Sequence, residues 1–283
     1  MVPNQDNSDQ AAFWSDNAGP KWVARQAGLD ALMQPVLDGV LARADLRAGD
    51  RVLDIGCGTG ASSLQAAQAV GPDGAVQGVD ISAPLLAMAQ KRAGTLPHVR
   101  FDLGDAASHD LPTAAFDRLI SRFGVMFFAD PVAAFAHMTH ALRPDAIVSF
   151  ASWGEIPENP FFTLPARIAR GVLGPVPKSD PDLPGPFAFR DPARVIQILQ
   201  DAGLRGVSCE VETLNLTPEG GRAELAAQMC DIGPARAAIN HHAATQVQVA
   251  TVQTALADAL REYDADGQLR LPAQINFYRA VNP

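Results

Sequence analysis

The stretch that decides the fold is VLDIGCGTG, residues 52–60. Its first four residues are mostly apolar and suit a strand buried on both faces of a sheet. Gly56, Gly58 and Gly60 then allow a sharp turn into a helix over residues 61–70, and they let a ligand lie directly against the backbone. The free N–H groups at the start of that helix face the same ligand. This unit predicts an α/β fold with a ligand site on the glycine loop.

Asp54 distinguishes between the ligands that such a loop can hold. The pattern Gly56-x-Gly58-x-x-Ala61 also fits a dinucleotide site. A pyrophosphate on this loop would be repelled by the nearby carboxylate, whereas an ammonium group would be attracted. S-adenosylmethionine (SAM) carries an ammonium and a sulfonium group and no phosphate. Asp54 therefore favours SAM over a nicotinamide dinucleotide.

Two further acids stand at the ends of predicted strands. Asp80 is placed to accept hydrogen bonds from the ribose hydroxyls of a nucleoside, and Ile81 to lie against its adenine ring. Asp105 closes the segment FDLGDA and is placed to accept from the adenine amino group, with Ala106 supplying a backbone contact. Because NAD enzymes also use an acid at the second strand end, Asp80 indicates a nucleoside without identifying it.

These motifs resemble the class I SAM-dependent methyltransferases, in particular the small-molecule branch called methyltransferase type 11/25, which includes the ubiquinone and menaquinone biosynthesis enzymes. The residues that carry the resemblance are VLDIGCGTG (52–60), GVDIS (78–82), GDA (104–106), FDRLISRFGVMFFADP (116–131) and ALRPDA (141–146). The resemblance implies an enzyme that moves a methyl group from SAM to O, N, C or S of a small organic acceptor, by direct in-line displacement, leaving S-adenosylhomocysteine. One departure is Asp145-Ala146, where the family usually has two glycines.

The order of segments predicts a doubly wound, mostly parallel seven-stranded sheet of the Rossmann-like type. Residues 1–45 are expected to form an N-terminal helical arm or lid, with helix over 20–45, and residues 46–153 the SAM-binding core. Residues 154–192 are rich in proline and aromatic residues. We expect them to form a long irregular lid segment with a short helix near 164–172.

The last part of the chain, residues 193–283, is expected to complete the sheet. Strands near 206–216 and 269–281 would form an antiparallel pair, with a helical insert at 219–263 between them.

Composition limits the partners. The net charge of −9, without a basic run, argues against a nucleic-acid partner. Three cysteines without metal-like spacing indicate a reducing compartment and no metal. The sequence shows neither a signal-peptide pattern nor an apolar stretch that would span a membrane. We therefore expect a cytoplasmic protein with a small-molecule acceptor and no membrane partner; the oligomeric state, monomer or homodimer, stays open.

The candidate site residues follow from these positions. The predicted cofactor-binding residues are Asp54, Gly56, Cys57 through its backbone N–H, Gly58, Gly60, Asp80, Ile81, Asp105, Ala106, Ser121, Arg122 and, in the arm that folds over the cofactor in relatives, Trp14 and Trp22. Displacement at a sulfonium mainly requires alignment, and a base is needed only for an acceptor proton of high pKa. No catalytic residue is therefore assigned, and Arg122, Phe123 and Trp153 are positioning candidates.

Each positioning candidate has an alternative role. Arg122 is placed to contact the methionine carboxylate or an anionic acceptor, or else to pair with an acid. Phe123 and Trp153 either line the acceptor pocket or pack in the core. Two alternative functions also stay open: an NAD(P)-dependent oxidoreductase, which Asp54 and the lack of a Tyr-x-x-x-Lys relay disfavour, and a SAM-binding subunit without catalysis.

Overall fold

The computed structural model describes residues 7–178 and 180–283. Its strands are β1 (Arg51–Ile55), β2 (Ala75–Asp80), β3 (Val99–Leu103), β4 (Phe116–Arg122), β5 (Leu142–Trp153), β6 (Arg205–Leu216), β7 (Asp264–Ala265), β8 (Gln268–Leu269) and β9 (Leu271–Val281). Its α-helices are α1 (Ser8–Ala12), α2 (Gly19–Ala24), α3 (Gln26–Leu32), α4 (Gln34–Ala44), α5 (Ala61–Val70), α6 (Ala83–Ala93), α7 (Pro131–Thr139), α8 (Pro160–Leu173), α9 (Pro192–Asp201), α10 (Arg222–Asp231), α11 (Gly233–His241) and α12 (Gln246–Ala259).

Seven strands form one sheet in the order β3-β2-β1-β4-β5-β9-β6. The five strands from β1 to β5 are parallel to one another, and β9 runs antiparallel to both β5 and β6. The expected doubly wound, mostly parallel sheet is therefore confirmed. Because β1 and β4 are adjacent although two strands separate them in the chain, their carboxyl ends form the switch point at which such sheets bind ligands.

The central strands are apolar because they are covered on both faces. Residues 52–55 of β1 are all buried, as are residues 118–121 of β4. Helices that follow the strands flank the sheet, and helix α5 begins directly after the glycine loop, at Ala61, as the sequence predicts. The buried strands fix the height of the loops that follow them, and those loops carry the site.

The N-terminal arm differs from the expected single helix. Residues 20–45 contain three helices, α2 to α4, which are separated at Arg25 and Met33. Pro35 has no N–H to donate and its ring would clash with a helical carbonyl four residues earlier, so it stands in the first turn of a new helix, α4, and not inside a continuous one. The first part of the predicted arm, residues 1–6, lies outside the described residues.

The segment 154–192 is more helical than we expected. Helix α8 spans fourteen residues rather than a short stretch near 164–172. Pro160 stands in the first turn of α8, where proline is tolerated, and the helix also accommodates Pro165 in its interior. Phe161, Leu164 and Ala169 on this helix are buried, and this packing stabilises it.

Near the C-terminus the sequence contains a hairpin that we did not predict. β7 and β8 pair around Asp266-Gly267, where both residues have positive φ, of 56° and 78°. Asp-Gly is the dipeptide that favours such two-residue turns. The last long strand consequently begins at Leu271 rather than at residue 269. Helices α10 to α12 lie between β6 and this hairpin.

At the departure from the family pattern, Asp145 adopts a left-handed conformation with φ of 63°. A glycine adopts that conformation without cost, which gives the family's usual residue a physical reason. Its carboxylate pairs with the guanidinium of Arg205, the first residue of β6.

Across residues 7–178 and 180–283, no helix combines the length and the apolar character needed to cross a membrane.

Candidate cofactor and acceptor site

The glycine loop is fixed from two sides. The N–H groups of Gly56 and Cys57 donate to the Val79 carbonyl of β2, at 2.9 and 3.2 Å. On the other side, a Cβ on Gly56 would lie 2.6 Å from the Cα of Gly124, and Gly56 has a φ of 64°. No other residue fits both the left-handed conformation and this backbone contact. The loop is therefore held rigidly between β2 and the segment after β4.

Asp80 is connected to this loop through the backbone. Its carboxylate accepts from the Gly58 N–H at 2.7 Å and from the Ser82 N–H at 2.8 Å. Burial raises the pKa of Asp80 to about 6, although both backbone hydrogen bonds lower it. Each carboxylate oxygen has a further lone pair, so Asp80 keeps the capacity to accept from hydroxyl groups.

Asp54 lies fully buried beneath the same loop. Its Oδ2 accepts from the hydroxyls of Ser62 and Ser63, at 2.6 and 2.5 Å, at the start of α5. Burial raises the pKa of Asp54, while the two serines and the Arg122 guanidinium lower it. Its second oxygen, Oδ1, is buried and has no hydrogen-bond partner among the described residues. A buried acceptor of this kind is costly unless a donor reaches it.

Arg122, the last residue of β4, carries the complementary group. One terminal nitrogen, NH2, lies 3.2 Å from Oδ1 of Asp30 in α3. The other, NH1, is buried without a partner in the described part of the chain. The site therefore contains an unpartnered buried acceptor and an unpartnered buried donor. An α-amino acid group, with one ammonium and one carboxylate, has the two charges that match them.

Ser121 connects the two loops. Its hydroxyl donates to the Ile55 carbonyl at 2.7 Å and accepts from the Gly124 N–H at 3.0 Å. The side chain is fully buried, so its role in the structure is to hold the segment after β4 against the glycine loop.

Asp105 is already engaged by a residue of the N-terminal arm. The Asn7 amide nitrogen donates to both carboxylate oxygens, at 3.0 and 2.9 Å, and the Asn7 amide oxygen accepts from the Ala129 N–H at 2.9 Å. Asp105 also accepts from the Ala107 N–H at 3.0 Å. Ala106 beside it is buried and Ile81 is partly exposed. The Asn7 carboxamide thus uses the same acceptor that the sequence assigns to an adenine amino group.

The two arm tryptophans lie close to these loops. The Ser82 hydroxyl donates to the Trp14 carbonyl at 2.9 Å, which joins the arm to the turn after β2. The Trp14 ring meets Phe127 edge-on at 5.4 Å between centroids and Trp22 at 5.8 Å. The arm therefore covers the edge of the sheet at which the strand ends meet.

An aromatic cluster begins at Phe123, directly after β4. Phe123 has a φ of 67°, which is unusual for a bulky residue, and its ring stacks on Trp153 at 4.5 Å and 1°. Trp153 also contacts Phe161 and Phe162 of α8, at 6.1 and 4.8 Å, and Phe187 meets Phe162 at 4.9 Å. We call these five residues the aromatic layer.

The Cys57 side chain packs inside the protein, beneath the glycine loop. Its thiol is buried beside Gly78, and burial raises the pKa of the thiol well above its usual range. Its N–H is used within the protein, on Val79. In the described ranges no three His, Cys, Asp or Glu side chains form a group that would hold a metal ion.

Sequence reasoning missed several residues of the site. Ser62 and Ser63 lie in the first turn of α5, just after the glycine loop. Hydroxyl residues at this position, eight and nine residues after Asp54, are a local signal for a contact with that acid. Asn7, Asp30 and Arg92 come from the arm and from α6, and no local pattern singles them out.

Comparison with known proteins is consistent with this geometry. Residues 52–145 match the family model described as a methyltransferase domain. Nocamycin O-methyltransferase of Saccharothrix syringae is 33% identical over 145 residues, which cover 50% of this chain and 49% of the relative. Demethylmenaquinone methyltransferase of Staphylococcus aureus is 31% identical over 103 residues, which cover 36% of this chain and 43% of the relative. The chain thus spans less than half the length of these curated relatives.

One solved structure shows the likeness of the fold across the whole chain. Phosphoethanolamine N-methyltransferase 2 of Haemonchus contortus, solved with phosphomonomethylethanolamine and S-adenosylhomocysteine, has a TM-score of 0.56 at 20% identity. The match covers 100% of this chain and 61% of that one. This likeness concerns the fold, and the family model is what confirms the resemblance seen in the sequence motifs.

Proposed function

Because residues 52–145 form a class I SAM-dependent methyltransferase domain, we propose that this protein transfers a methyl group from SAM to a small organic acceptor. The product of the cofactor is S-adenosylhomocysteine. The acceptor atom is O, N, C or S, and the domain pattern does not select among them.

The observation that carries this proposal is the pair of unpartnered charged atoms beside the glycine loop. Oδ1 of Asp54 is a buried acceptor and NH1 of Arg122 a buried donor, both without partners among the described residues. The methionine end of SAM has an ammonium for the first and a carboxylate for the second. A dinucleotide would bring phosphates next to Asp54 instead, which is electrostatically unfavourable.

The remaining cofactor contacts are assigned to residues near the same strand ends. Asp80 would accept from the ribose hydroxyls, and Asp105 with Ala106 would receive the adenine edge beside Ile81. Gly58 has no heavy atom within 4 Å of the position a Cβ would take, so its backbone is open to a ligand. Trp14 and Trp22 would exclude water from the closed site, which strengthens the electrostatic contacts within it.

SAM supplies an activated methyl group on a sulfonium, which is an excellent leaving group. The task of the chain is therefore alignment, which can contribute roughly 7–11 kcal/mol to the lowering of the barrier. Asp54 and Arg122 would fix the amino acid end and Asp80 the ribose. Phe123 and Trp153 would fix the acceptor. No side chain is assigned as a base.

The aromatic layer supports an acceptor that is small and mostly apolar. Flat rings such as Phe123 and Trp153 contact planar or aliphatic groups and offer no charge. The relatives named above are an O-methyltransferase and a methyltransferase of a quinone precursor, which agrees with this class. We further propose that the protein is cytoplasmic, because its three cysteines without a paired pattern indicate a reducing compartment. We also propose that it acts on neither nucleic acid nor membranes, because its net charge of −9 is repelled by anionic phosphates.

Calorimetric titration with SAM, S-adenosylhomocysteine and NAD(H) tests the cofactor. We expect micromolar binding of the two sulfur nucleosides, no binding of NAD(H), and a large loss of affinity in Asp80→Ala. Binding of NAD(H) in place of SAM would overturn the proposal in favour of an oxidoreductase.

Methyl transfer itself is tested with SAM labelled in the methyl group and a panel of phenols, quinols, carboxylic acids and amines. We expect label in at least one acceptor, and none with heat-denatured protein. Tight SAM binding without transfer to any acceptor class would instead support a SAM-binding subunit without catalysis.

A further inference from the structure

The N-terminal arm contributes one buried carboxylate to the cofactor site. Asp30 lies on α3 and is 9% exposed. Its Oδ1 lies 3.2 Å from NH2 of Arg122, and its Oδ2 lies 2.9 Å from NH1 of Arg92. The Gln26 side chain also donates to Oδ2, at 2.5 Å. Asp30 therefore joins the arm to two arginines of the core.

Arg92 extends this connection to the glycine loop. Its NH1 donates to the Thr59 carbonyl at 2.7 Å and lies 3.2 Å from the Thr59 hydroxyl. Asp30 thus contacts both the residue that holds the loop and the residue that ends β4. The three side chains form what we call the arm bridge: Arg92, Asp30 and Arg122.

Among the described residues, the arm bridge leaves one guanidinium nitrogen without a hydrogen bond, although the Asp54 carboxylate also interacts electrostatically with Arg122. One carboxylate faces two guanidinium groups, and NH1 of Arg122 has no partner in the described part of the chain. A buried guanidinium is stable only when its donors are satisfied. A ligand carboxylate hydrogen-bonded to NH1 of Arg122 would satisfy this nitrogen, while a ligand ammonium would face Asp54. Asp30 occupies one terminal nitrogen and leaves the other available.

We propose that Asp30 is a positioning residue, which holds the Arg122 guanidinium for the carboxylate of the cofactor's methionine end and thereby couples closure of the arm to that carboxylate. This inference rests on the proposed function, because it requires that a SAM-type ligand binds at this loop. Asp30 itself does not touch the ligand. It acts through Arg122, and the arm closes most stably when the ligand carboxylate satisfies NH1 of that residue.

The test compares two ligands that differ only at the methionine end. 5′-Methylthioadenosine keeps the adenosine and the thioether of S-adenosylhomocysteine and lacks the amino and carboxylate groups. In Asp30→Asn we expect about tenfold weaker binding of S-adenosylhomocysteine by calorimetry, as for loss of a hydrogen bond to a charged group. Binding of 5′-methylthioadenosine should stay within about twofold of wild type, and Asp30→Glu should recover part of the loss.

The chain offers a matched control. Gln34 donates to Asp38 at 2.7 Å with the same four-residue spacing as Gln26 to Asp30, but that pair is exposed and contacts no arginine of the arm bridge. Asp38→Asn removes the same charge at a comparable helical position. It should leave the binding of both ligands unchanged.

A double-mutant cycle shows whether Asp30 acts through Arg122. In an Arg122→Ala background, Asp30→Asn should weaken S-adenosylhomocysteine by less than about twofold, because the positioned group is gone. In the wild type, S-adenosylhomocysteine should protect the arm against limited proteolysis, whereas 5′-methylthioadenosine should not. In Asp30→Asn, S-adenosylhomocysteine should no longer protect the arm.

The outcomes separate this inference from the proposed function. Equal losses for the two ligands in Asp30→Asn, or no loss for either, would overturn the positioning role while leaving the methyltransferase proposal in place. Failure of wild type to bind S-adenosylhomocysteine at all would overturn the proposed function and this inference with it.

Discussion

The proposed cofactor side and the proposed acceptor side of the site are built in different ways. The cofactor side consists of backbone N–H groups and buried carboxylates, and its central residues, from Asp54 to Ser82, lie close together in the chain. The acceptor side consists of rings from Phe123 to Phe187, which come from a loop, a strand end, a helix and a turn. Hydrogen bonds impose strict geometry on the first side, whereas the second requires only apolar packing.

The two sides are therefore expected to tolerate amino-acid substitution to different degrees. A backbone donor or a left-handed glycine cannot be replaced without loss of the loop, so the cofactor side tolerates little variation. Aromatic surfaces can exchange shape at modest cost while they stay apolar. The four predictions below use the affinity for S-adenosylhomocysteine as a common measure, and they test whether the two sides respond differently.

The largest loss is expected for Gly56→Ala. Its Cβ would lie 2.6 Å from the Gly124 Cα, and the left-handed φ of 64° adds strain. A displacement of about 1 Å at such a loop lowers activity or binding roughly 100-fold, and the clash with strain destabilises the fold by about 2–5 kcal/mol. Calorimetry and thermal unfolding measure both effects.

Gly171→Ala in α8 is the control for this prediction. No heavy atom lies within 4 Å of the position of its Cβ. Alanine there should stabilise the protein by about 0.5–1 kcal/mol and leave binding unchanged. Wild-type affinity in Gly56→Ala would show that the loop is not held as tightly as its contacts indicate.

The second effect is a pH dependence set by Asp80. Burial raises its pKa to about 6, so the carboxyl group is largely ionised at neutral pH and protonated below the pKa. Ribose hydroxyls donate better to the carboxylate, and the affinity should therefore fall about tenfold between pH 7 and pH 5. Asp80→Asn should bind more weakly and lose this part of the pH dependence.

The same shift acts in the opposite direction on folding. The raised pKa means that the folded state favours the protonated carboxyl. The stability contributed by this group is therefore present at acid pH and is lost as the pH rises through about 6. If the affinity for S-adenosylhomocysteine were the same at pH 7 and pH 5, Asp80 would not be the group that binds the ribose.

A smaller effect is expected for Asn7→Ala. The Asn7 carboxamide donates to both oxygens of Asp105, where the adenine amino group is proposed to bind. Removal of this competitor should strengthen binding of S-adenosylhomocysteine by about twofold to fivefold, the size of a net hydrogen-bond contribution. Weaker binding would show instead that Asn7 orients Asp105 for the ligand.

The smallest effect on this affinity is expected for Trp153→Phe. Trp153 is 4% exposed and stacks on Phe123, so a smaller ring leaves a gap that should cost about 1–3 kcal/mol of stability. Binding of S-adenosylhomocysteine should stay within about twofold, since no cofactor contact is assigned to this ring. A large loss of affinity for S-adenosylhomocysteine would show that Trp153 also contributes to cofactor binding, which contradicts the assignment of separate cofactor and acceptor sides.

Prediction from the sequence succeeded where the signal is local. Asp54, the glycine loop and helix α5 follow one another directly in the chain, Asp80 directly ends its own strand, and the buried strands have clear apolar patterns. The full length of α8 does not follow from the sequence, because proline usually ends a helix and Pro160 and Pro165 both lie in this one. The Asp266-Gly267 dipeptide is a local signal for the hairpin of β7 and β8.

The sequence by itself determined the doubly wound sheet and the glycine loop, and it placed an acid, Asp54, directly before that loop, on which the proposal of SAM rather than a dinucleotide rests. Each depends on residues that are neighbours in the chain. Only the tertiary structure decided that Asp30 faces Arg92 and Arg122, that Asn7 contacts Asp105 and that Phe123 stacks on Trp153. These contacts join residues far apart in sequence, and they form only when the arm and α8 pack against the sheet. Their partners are set by the path of the folded chain, which no local pattern encodes.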